Sequence, residues 1–141
     1  MSRRQDCKDL YVHMKKAEDL CLSVSAIYSK RMLLHGDIHP DNILLRGHDE
    51  YIIIDPKGVV GDPVFDIAHF IINEFDDVIT DELYTNINFI IKDIEARLYI
   101  PHEILRKCLY IQTAMTECWD VEDGSYPSLD KISFAEAILR N

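Results

Sequence analysis

The sequence predicts a mostly α-helical domain of the α+β class with one small β-hairpin in its middle. Apolar residues recur at steps of three and four along most of the chain, which is the spacing of one helix face. Two short β-prone runs flank a polar turn near the centre. At 141 residues and 48% hydrophobic, the chain suits one core. We therefore expect residues 1–141 to form a single domain.

The first predicted helix extends from Leu10 to Tyr28. Its apolar residues alternate at steps of four and three, and they are Leu10, Met14, Ala17, Cys21, Val24 and Tyr28. A coiled coil is the competing interpretation, but it needs more heptads than this segment contains. A helix that faces the core is therefore favoured.

A loop and a hairpin follow this helix. Residues 35–42 contain Gly36 and Pro40, which are typical of a loop. The runs 43–45 and 51–54 are β-prone, and the five residues between them are polar. The hairpin is therefore flanked by two loops rich in Asp, His and Gly, and loops on a rigid scaffold often carry function.

The second half of the chain is predicted to be helical. Asp62 followed by Pro63 is typical of a helix N-cap and first position, which gives Asp62 a structural role and opens a helix through Asp66 and Phe70. Two further apolar stripes follow, and a short third pattern covers residues 132–139. The stripes are Leu83, Ile87, Ile90, Ile94 and Leu98, and then Ile104, Cys108, Ile111, Met115 and Trp119.

Composition excludes some classes of function. The formal net charge of −10 argues against a nucleic-acid backbone or an anionic membrane as the main partner, whereas a cationic ligand would suit it. The four cysteines form no CxxC pair, so reduced thiols are expected. No apolar segment approaches the ~20 residues that span a bilayer. We expect a cytoplasmic protein.

The two loops beside the hairpin carry the residues needed for phosphoryl transfer. That reaction needs a carboxylate near the attacking hydroxyl and oxygen ligands for magnesium. In protein kinases a catalytic Asp precedes a metal-binding Asn by five positions, and a second metal-binding Asp lies in a later loop. Asp37 and Asn42 have that spacing, and Asp55 follows the hairpin.

The predicted hairpin brings the two metal-ligand candidates together. A turn centred between His48 and Asp49 pairs Ile43 with Ile54, and so sets Asn42 opposite Asp55. Opposed residues of an antiparallel pair lie about 4.5–5.5 Å apart at Cα. The two side chains could then converge on one magnesium ion, which prefers oxygen ligands.

Two segments together resemble a known family. Residues 34–44, LHGDIHPDNIL, resemble the catalytic loop of the aminoglycoside phosphotransferase and choline kinase-like superfamily. Residues 54–58, IDPKG, with GDP at 61–63 and FDIA at 65–68, are similar to streptomycin 6-kinases and hydroxyurea phosphotransferases. WDVEDG at 119–124 resembles a late segment of the same group. The resemblance covers most of the chain from Leu10 onward.

The resemblance implies a protein-kinase-like C-terminal lobe and a role for each matching residue. It implies that Asp37 is the catalytic base, that Asn42 and Asp55 hold Mg²⁺, and that Asp66 braces the catalytic loop. The implied reaction transfers the γ-phosphoryl group of ATP to a hydroxyl of an aminoglycoside or another small polar molecule. Such an activity would confer antibiotic resistance.

One part of the family pattern has no counterpart here. The smaller N-terminal lobe supplies a strand lysine and a loop over the nucleotide phosphates, whereas residues 1–31 contain no glycine and are predicted to be helical. We expect weak binding of magnesium nucleotide and little or no turnover by this chain alone. The partner expected at the exposed inter-lobe surface is a separate N-terminal lobe or a second copy of the chain.

Two other functions stay open at this point. His35, Asp37 and His39 form an HxDxH pattern that would suit a zinc or iron metallohydrolase. For His35 a loop-bracing role is the simpler interpretation. The second alternative is a kinase remnant without catalysis, which would bind a partner through its exposed apolar surface.

The remaining candidates are nucleotide and substrate residues. Lys57 neighbours the presumed metal ligand Asp55 and could contact phosphate, although a solvent-facing lysine is the simpler interpretation. An aromatic side chain beside carboxylates suits a sugar or an amine, and a solvated acidic face is the alternative. The substrate candidates of this kind are Trp119, Asp120, Glu122 and Asp123.

Overall fold

A computed structural model describes residues 3–76 and 78–140 of the chain. Within those ranges there are five α-helices and four short β-strands. The helices are α1 (Arg3–Ile27), α2 (Val64–Ile72), α3 (Asp81–Leu98), α4 (His102–Glu122) and α5 (Leu129–Leu139). The strands are β1 (Met32–Leu34), β2 (Ile43–Arg46), β3 (Glu50–Ile53) and β4 (Val59–Gly61), and a 3₁₀ turn at Pro40–Asn42 precedes β2. The mostly helical α+β prediction is confirmed.

None of the described helices is both long and apolar enough to cross a membrane.

Helix α4 is the centre of the domain. It contacts all four of the other helices, and every residue from Ile104 to Ala114 except Lys107 is buried. The sequence predicted a single apolar stripe, which located the helix but not the extent of its burial. Other helices cover this stretch of α4 on most of its sides, so a single apolar stripe underestimates how many of its residues are buried. The stripe leaves the core at its C-terminal end, where Trp119 is 49% exposed.

The predicted core face of α1 is confirmed. Leu10, Ala17 and Val24 are buried in one apolar cluster with α2, α4 and α5 residues, and the alternate members of the stripe are partly buried beside them. Helix α3 buries Leu83 and Ile87 in a second cluster with the other side of α4. The two clusters together form the core on which the loops are held.

The hairpin exists, but its predicted register is wrong by one residue. Strands β2 and β3 pair Ile43 with Ile53, where the sequence analysis paired Ile43 with Ile54. The turn has three residues and contains Gly47 in the left-handed region, with φ 73°. Loop length and turn type fix hairpin register. As a result Asn42 lies opposite Ile54, whose N–H donates to the Asn42 carbonyl at 2.9 Å, and not opposite Asp55.

A second antiparallel ribbon was not predicted. Strands β1 and β4 pair Leu34 with Val59 and Met32 with Gly61. Each has only three residues, which is too short for a period-two pattern, and their partners are far apart in sequence. The ribbon sets the start of the loop at His35 beside the loop that ends at Gly58.

Asp62 joins the segment that follows α1 to the start of α2. Its Oδ1 accepts from the Val64 N–H at 3.1 Å, and its Oδ2 accepts from the Lys30 N–H at 3.1 Å. The side chain is only 6% exposed. The Asp62 side chain caps the start of α2 as predicted, but the N-cap position falls on Pro63, one residue later than predicted.

The four cysteines are all free thiols, as the sequence predicts. Cys108 is buried in α4, and this burial raises the pKa of its thiol to about 12. A protonated, buried thiol is chemically inert and acts as an apolar core side chain.

Candidate active site

His35 joins the two loops that carry the candidate residues. Its Nε2 lies 2.6 Å from the carbonyl oxygen of Ile54, so that nitrogen must carry the proton and donate it. Its Nδ1 is then an acceptor and receives the N–H of Asp37 at 3.1 Å. The backbone N–H of Lys57 donates to the His35 carbonyl at 2.7 Å. Residues 35–42 and 54–58 are thereby tied into one unit.

Asp66, in the first turn of α2, holds the start of the candidate catalytic loop. Its Oδ2 accepts from the His35 N–H at 2.8 Å, and its Oδ1 accepts from the Gly36 N–H at 3.0 Å. Hydrogen bonds to a charged acceptor are roughly twice as strong as neutral ones. These two bonds fix the loop on the helical core.

Asp37 is held at its backbone and at its side chain. Its carbonyl accepts from Asn42 Nδ2 at 2.9 Å, and its carboxylate Oδ1 lies 3.3 Å from His69 Nε2. The other oxygen, Oδ2, lies 3.6 Å from His39 Nε2. The side chain is 30% exposed. One carboxylate oxygen is therefore anchored while part of the group stays accessible to a ligand.

Asn42 and Asp55 fit a magnesium ion by the type of atom they offer. The Asn42 amide nitrogen donates to Asp37 and lies 3.1 Å from His39 Nε2, so its two hydrogens are used and Oδ1 remains for a cation. Asp55 is exposed and has φ 53°, an uncommon conformation for a residue other than glycine. An amide oxygen and a carboxylate are ligands that Mg²⁺ accepts. Because the register differs from the prediction, joint binding of one ion by the two residues stays a prediction.

The alternative HxDxH metal centre does not fit these contacts. Both ring nitrogens of His35 are used by the backbone, so neither is left to bind a metal. Among the described residues, no group of three or more His, Cys, Asp or Glu side chains is arranged to hold a metal ion. The metallohydrolase alternative is not favoured.

Sequence reasoning missed two residues of the site, His69 and Gln112. His69 follows Asp66 by three positions on α2, and residues at that spacing share a helix face, so a signal was present. Gln112 Nε2 lies 3.1 Å from His69 Nδ1 and is buried on α4. Nothing in the local sequence marks Gln112, because only the packing of α4 against α2 brings the two together.

The sequence of this chain matches a known protein family. The sequence profile of the family described as aminoglycoside/hydroxyurea antibiotic resistance kinase matches residues 1–124. The chain belongs to this kinase family. No solved structure matches the chain at a significant level.

Curated members of this antibiotic resistance kinase group show the same relationship at low identity. The chain is 26% identical over 100 residues to the streptomycin 6-kinase of Streptomyces glaucescens, covering 66% of this chain and 31% of that protein. It is 28% identical over 111 residues to the hydroxyurea phosphotransferase of Kitasatospora aureofaciens, covering 76% and 30%. It is 28% identical over 124 residues to the streptomycin 3''-kinase of Klebsiella pneumoniae, covering 77% and 45%. The chain thus spans less than half the length of each of these relatives.

A cavity of this chain lies next to His69. It has a volume of about 260 Å³ and opens between α2, α4 and α5. Its polar lining consists of His69, Asn73, Thr113, Thr116, Glu117, Asp120 and Lys131. Among the four predicted substrate residues, only Asp120 lines it. Trp119, Glu122 and Asp123 lie exposed at the end of α4, and their substrate role stays a prediction.

Glu117 is the buried acid of this cavity. It is 3% exposed, and its Oε2 accepts from the Ser128 N–H at 2.6 Å. Burial raises the pKa of this carboxyl above its usual value, and the Ser128 hydrogen bond opposes that shift. Because Ser128 immediately precedes α5, Glu117 also fixes the start of that helix to α4.

Lys57 contacts the site through its backbone. Its side chain is exposed, and the backbone N–H is the group that contacts His35. A contact between its ammonium group and a nucleotide phosphate stays a prediction.

Gly36 allows a prediction about the stability of the candidate catalytic loop. Its φ is 81°, and a Cβ there would lie 3.0 Å from Val59 Cγ2 and 3.3 Å from Lys57 Cβ. Gly36→Ala is expected to lower the free energy of unfolding by about 3 kcal/mol, since backbone strain and overpacking each cost roughly 1–2 kcal/mol. Urea denaturation measures it.

Gly58→Ala is the matched control for this substitution. Gly58 has φ 68°, but an added Cβ would meet open space. Only the backbone strain of about 1–2 kcal/mol is then expected. Equal losses for the two variants would contradict the close contact between Gly36 and Val59.

Proposed function

We propose that this chain is the catalytic lobe of an ATP-dependent kinase that transfers the γ-phosphoryl group to a hydroxyl of a small polar molecule. The observation that carries the proposal is the fixed position of Asp37 in a loop that His35 ties to the loop of Asp55. Phosphoryl transfer depends mainly on positioning and electrostatic stabilisation, so rigid loops of this kind suit it.

Each residue has a role in this proposal. Asp37 orients the acceptor hydroxyl and receives its proton, while Asn42 Oδ1 and the Asp55 carboxylate hold Mg²⁺. Bound magnesium would bridge the phosphates and neutralise the charge that develops on them. Asp66 and His35 keep the two loops in place. Lys57 is proposed to approach the phosphates from the edge of the same site.

A second, nucleotide-covering lobe is proposed to complete the site. Both ribbons expose cross-strand apolar pairs, with Leu33 at 77% beside Val60 at 60%, and Leu45 at 61% beside Tyr51 at 69%. Exposed apolar groups of this extent mark an interaction surface. The curated relatives are more than twice as long as the stretch they share with this chain, which favours a further lobe as the occupant. Without it, the chain is proposed to bind nucleotide weakly and turn over little.

The acceptor is proposed to enter the cavity beside His69. Its lining combines the carboxylates of Glu117 and Asp120 with two threonine hydroxyls and Lys131, which suits a small molecule with several polar groups. The net charge of −10 favours a neutral or cationic acceptor over an anionic one. The names of the relatives point to aminoglycosides and hydroxyurea as the first acceptors to test.

The free thiols are consistent with a proposed location in the cytoplasm.

Magnesium-dependent nucleotide binding tests the proposal in the chain itself. Addition of MgATP is expected to shift the NMR amide signals of residues 35–42 and 54–58, and ATP with a chelator is expected to leave them unchanged. Asp55→Asn should remove the magnesium-dependent shifts, because a carboxylate ligand is lost. Asp49→Asn, in the exposed hairpin turn, makes the same change of charge away from the loops and should retain them.

Two kinds of result would contradict the proposed kinase site or the proposed identity of the partner. Shifts that do not need magnesium, or that respond equally to the two substitutions, would contradict the kinase site. Size-exclusion chromatography tests the apolar surface separately: a stable dimer that buries the ribbons would assign that surface to a second copy of the chain.

A further inference from the structure

His69 is connected on both sides of its ring. Its Nε2 lies 3.3 Å from Asp37 Oδ1, and its Nδ1 lies 3.1 Å from Gln112 Nε2. His69 is on α2, Gln112 is on α4 and Asp37 is in the loop before β2, so three separate elements meet here. The His69 side chain is 21% exposed and Gln112 is 8% exposed.

The chemistry of these contacts fixes the proton on the ring. A carboxylate only accepts hydrogen bonds, so the atom that faces Asp37, His69 Nε2, must carry a hydrogen. In a neutral imidazole the other nitrogen, Nδ1, is then an acceptor. Gln112 Nε2 supplies the matching N–H. The chain of donors therefore runs in one direction, from Gln112 through His69 to Asp37.

We propose that His69, kept in one tautomer by Gln112, is a positioning residue that fixes the rotation of the Asp37 carboxylate. With Oδ1 anchored by His69, the other oxygen, Oδ2, is the one that faces the acceptor hydroxyl. His39 Nε2 lies 3.6 Å from Oδ2, beyond hydrogen-bond distance. The bracing bonds of His35 and Asp66 act on the backbone of this loop, and the bond from Asn42 acts on the Asp37 carbonyl. His69 adds control of the side chain itself, since it anchors Oδ1.

His69 also forms part of the wall of the cavity proposed for the acceptor. An acceptor in that cavity would lie against the ring that orients the catalytic carboxylate. The inference rests on the proposed function in this respect, because the oriented carboxylate is the one assigned to the acceptor.

The tautomer is tested first in the chain alone, without any measurement of activity. Long-range ¹H–¹⁵N spectra of the histidine rings are recorded at pH about 8, where an ordinary imidazole, with pKa about 6.5, is neutral. We expect the His69 ring to carry its proton on Nε2, and His69→Leu identifies its signals by their loss. A proton on Nδ1 in the unmodified chain would overturn the inference.

Kinetics then separates positioning from a general structural role. In the chain joined to a nucleotide-covering lobe, His69→Leu should lower kcat about 100-fold, the loss that small misplacements cause, with KM for MgATP unchanged within about twofold. His69→Gln retains a donor near the Nε2 position and should recover most of kcat. His48→Asn, at the exposed hairpin turn, removes a histidine outside the site and should not alter kcat.

Gln112 provides the decisive double substitution. If Gln112 acts only through His69, then Gln112→Leu as a single substitution lowers kcat. In the His69→Leu background the same substitution causes no further loss of kcat. Additive losses, or an equal kcat for His69→Leu and His69→Gln, would overturn the inference. If no preparation transfers phosphate, the proposed function fails, and the ring spectrum alone decides whether His69 donates to Asp37.

Discussion

Asp37→Asn is expected to lower kcat for phosphoryl transfer by about 10²–10⁴-fold, the usual contribution of a positioned acid–base group. The amide keeps the size of the side chain, and its oxygen can still accept from His69 Nε2, so the loop should stay folded. What is lost is the negative charge that orients the hydroxyl and accepts its proton. The measurement is steady-state transfer in the chain joined to a nucleotide-covering lobe.

Asp41→Asn is the matched control for this prediction. Asp41 lies in the same loop and is exposed, and its substitution removes the same charge. We expect kcat to change by less than about threefold, because a solvated charge at the rim contributes little. A similar loss in both variants would mean that the loop acts through its total charge and not through Asp37.

Asp66→Ala is expected to lower the free energy of unfolding by about 3 kcal/mol and to disorganise the catalytic loop. Two backbone N–H groups, those of His35 and Gly36, lose their acceptor. Hydrogen bonds to charged groups contribute about 1.5–3 kcal/mol each, and water replaces part of that here because the site is only partly buried. Urea denaturation gives the stability, and the NMR amide signals of residues 35–42 report the order of the loop.

Asp93→Ala is the control for the loss of a carboxylate on a helix. Asp93 pairs with Arg97 on α3 at 3.0 Å, and both side chains are largely exposed. Its loss should cost about 0.5 kcal/mol or less. If the two variants lose equal stability, the hydrogen bonds of Asp66 do not hold the loop in solution.

Local patterns in the sequence were sufficient for the helices and the candidate loops. The apolar stripe of α1, the N-cap at Asp62 and the two loops around the hairpin all follow from residue spacing and turn chemistry within a few positions. The spacing of Asp37 and Asn42, with Asp55 after the hairpin, likewise required only the order of residues. The family profile matches residues 1–124, a range that includes these three residues.

Long-range features could not be predicted in the same way. The hairpin register depends on the turn at Gly47, and a change of one residue moved the partner of Asn42 from Asp55 to Ile54. The ribbon of β1 and β4 joins two segments of three residues each, and neither segment has a period of its own.

By itself, the sequence determined the class of fold, the helices and the identity of the residues that could carry out phosphoryl transfer. Only the tertiary structure decided the contacts. Asp66 accepts from the His35 and Gly36 amides, and His69, which was not predicted, lies between Asp37 and Gln112. The physical reason is that helix periodicity and capping are encoded within a few residues, whereas these contacts join groups 30 to 43 positions apart. Their geometry is set by how α2 packs on α4 and against the loop after β1, which no local pattern records.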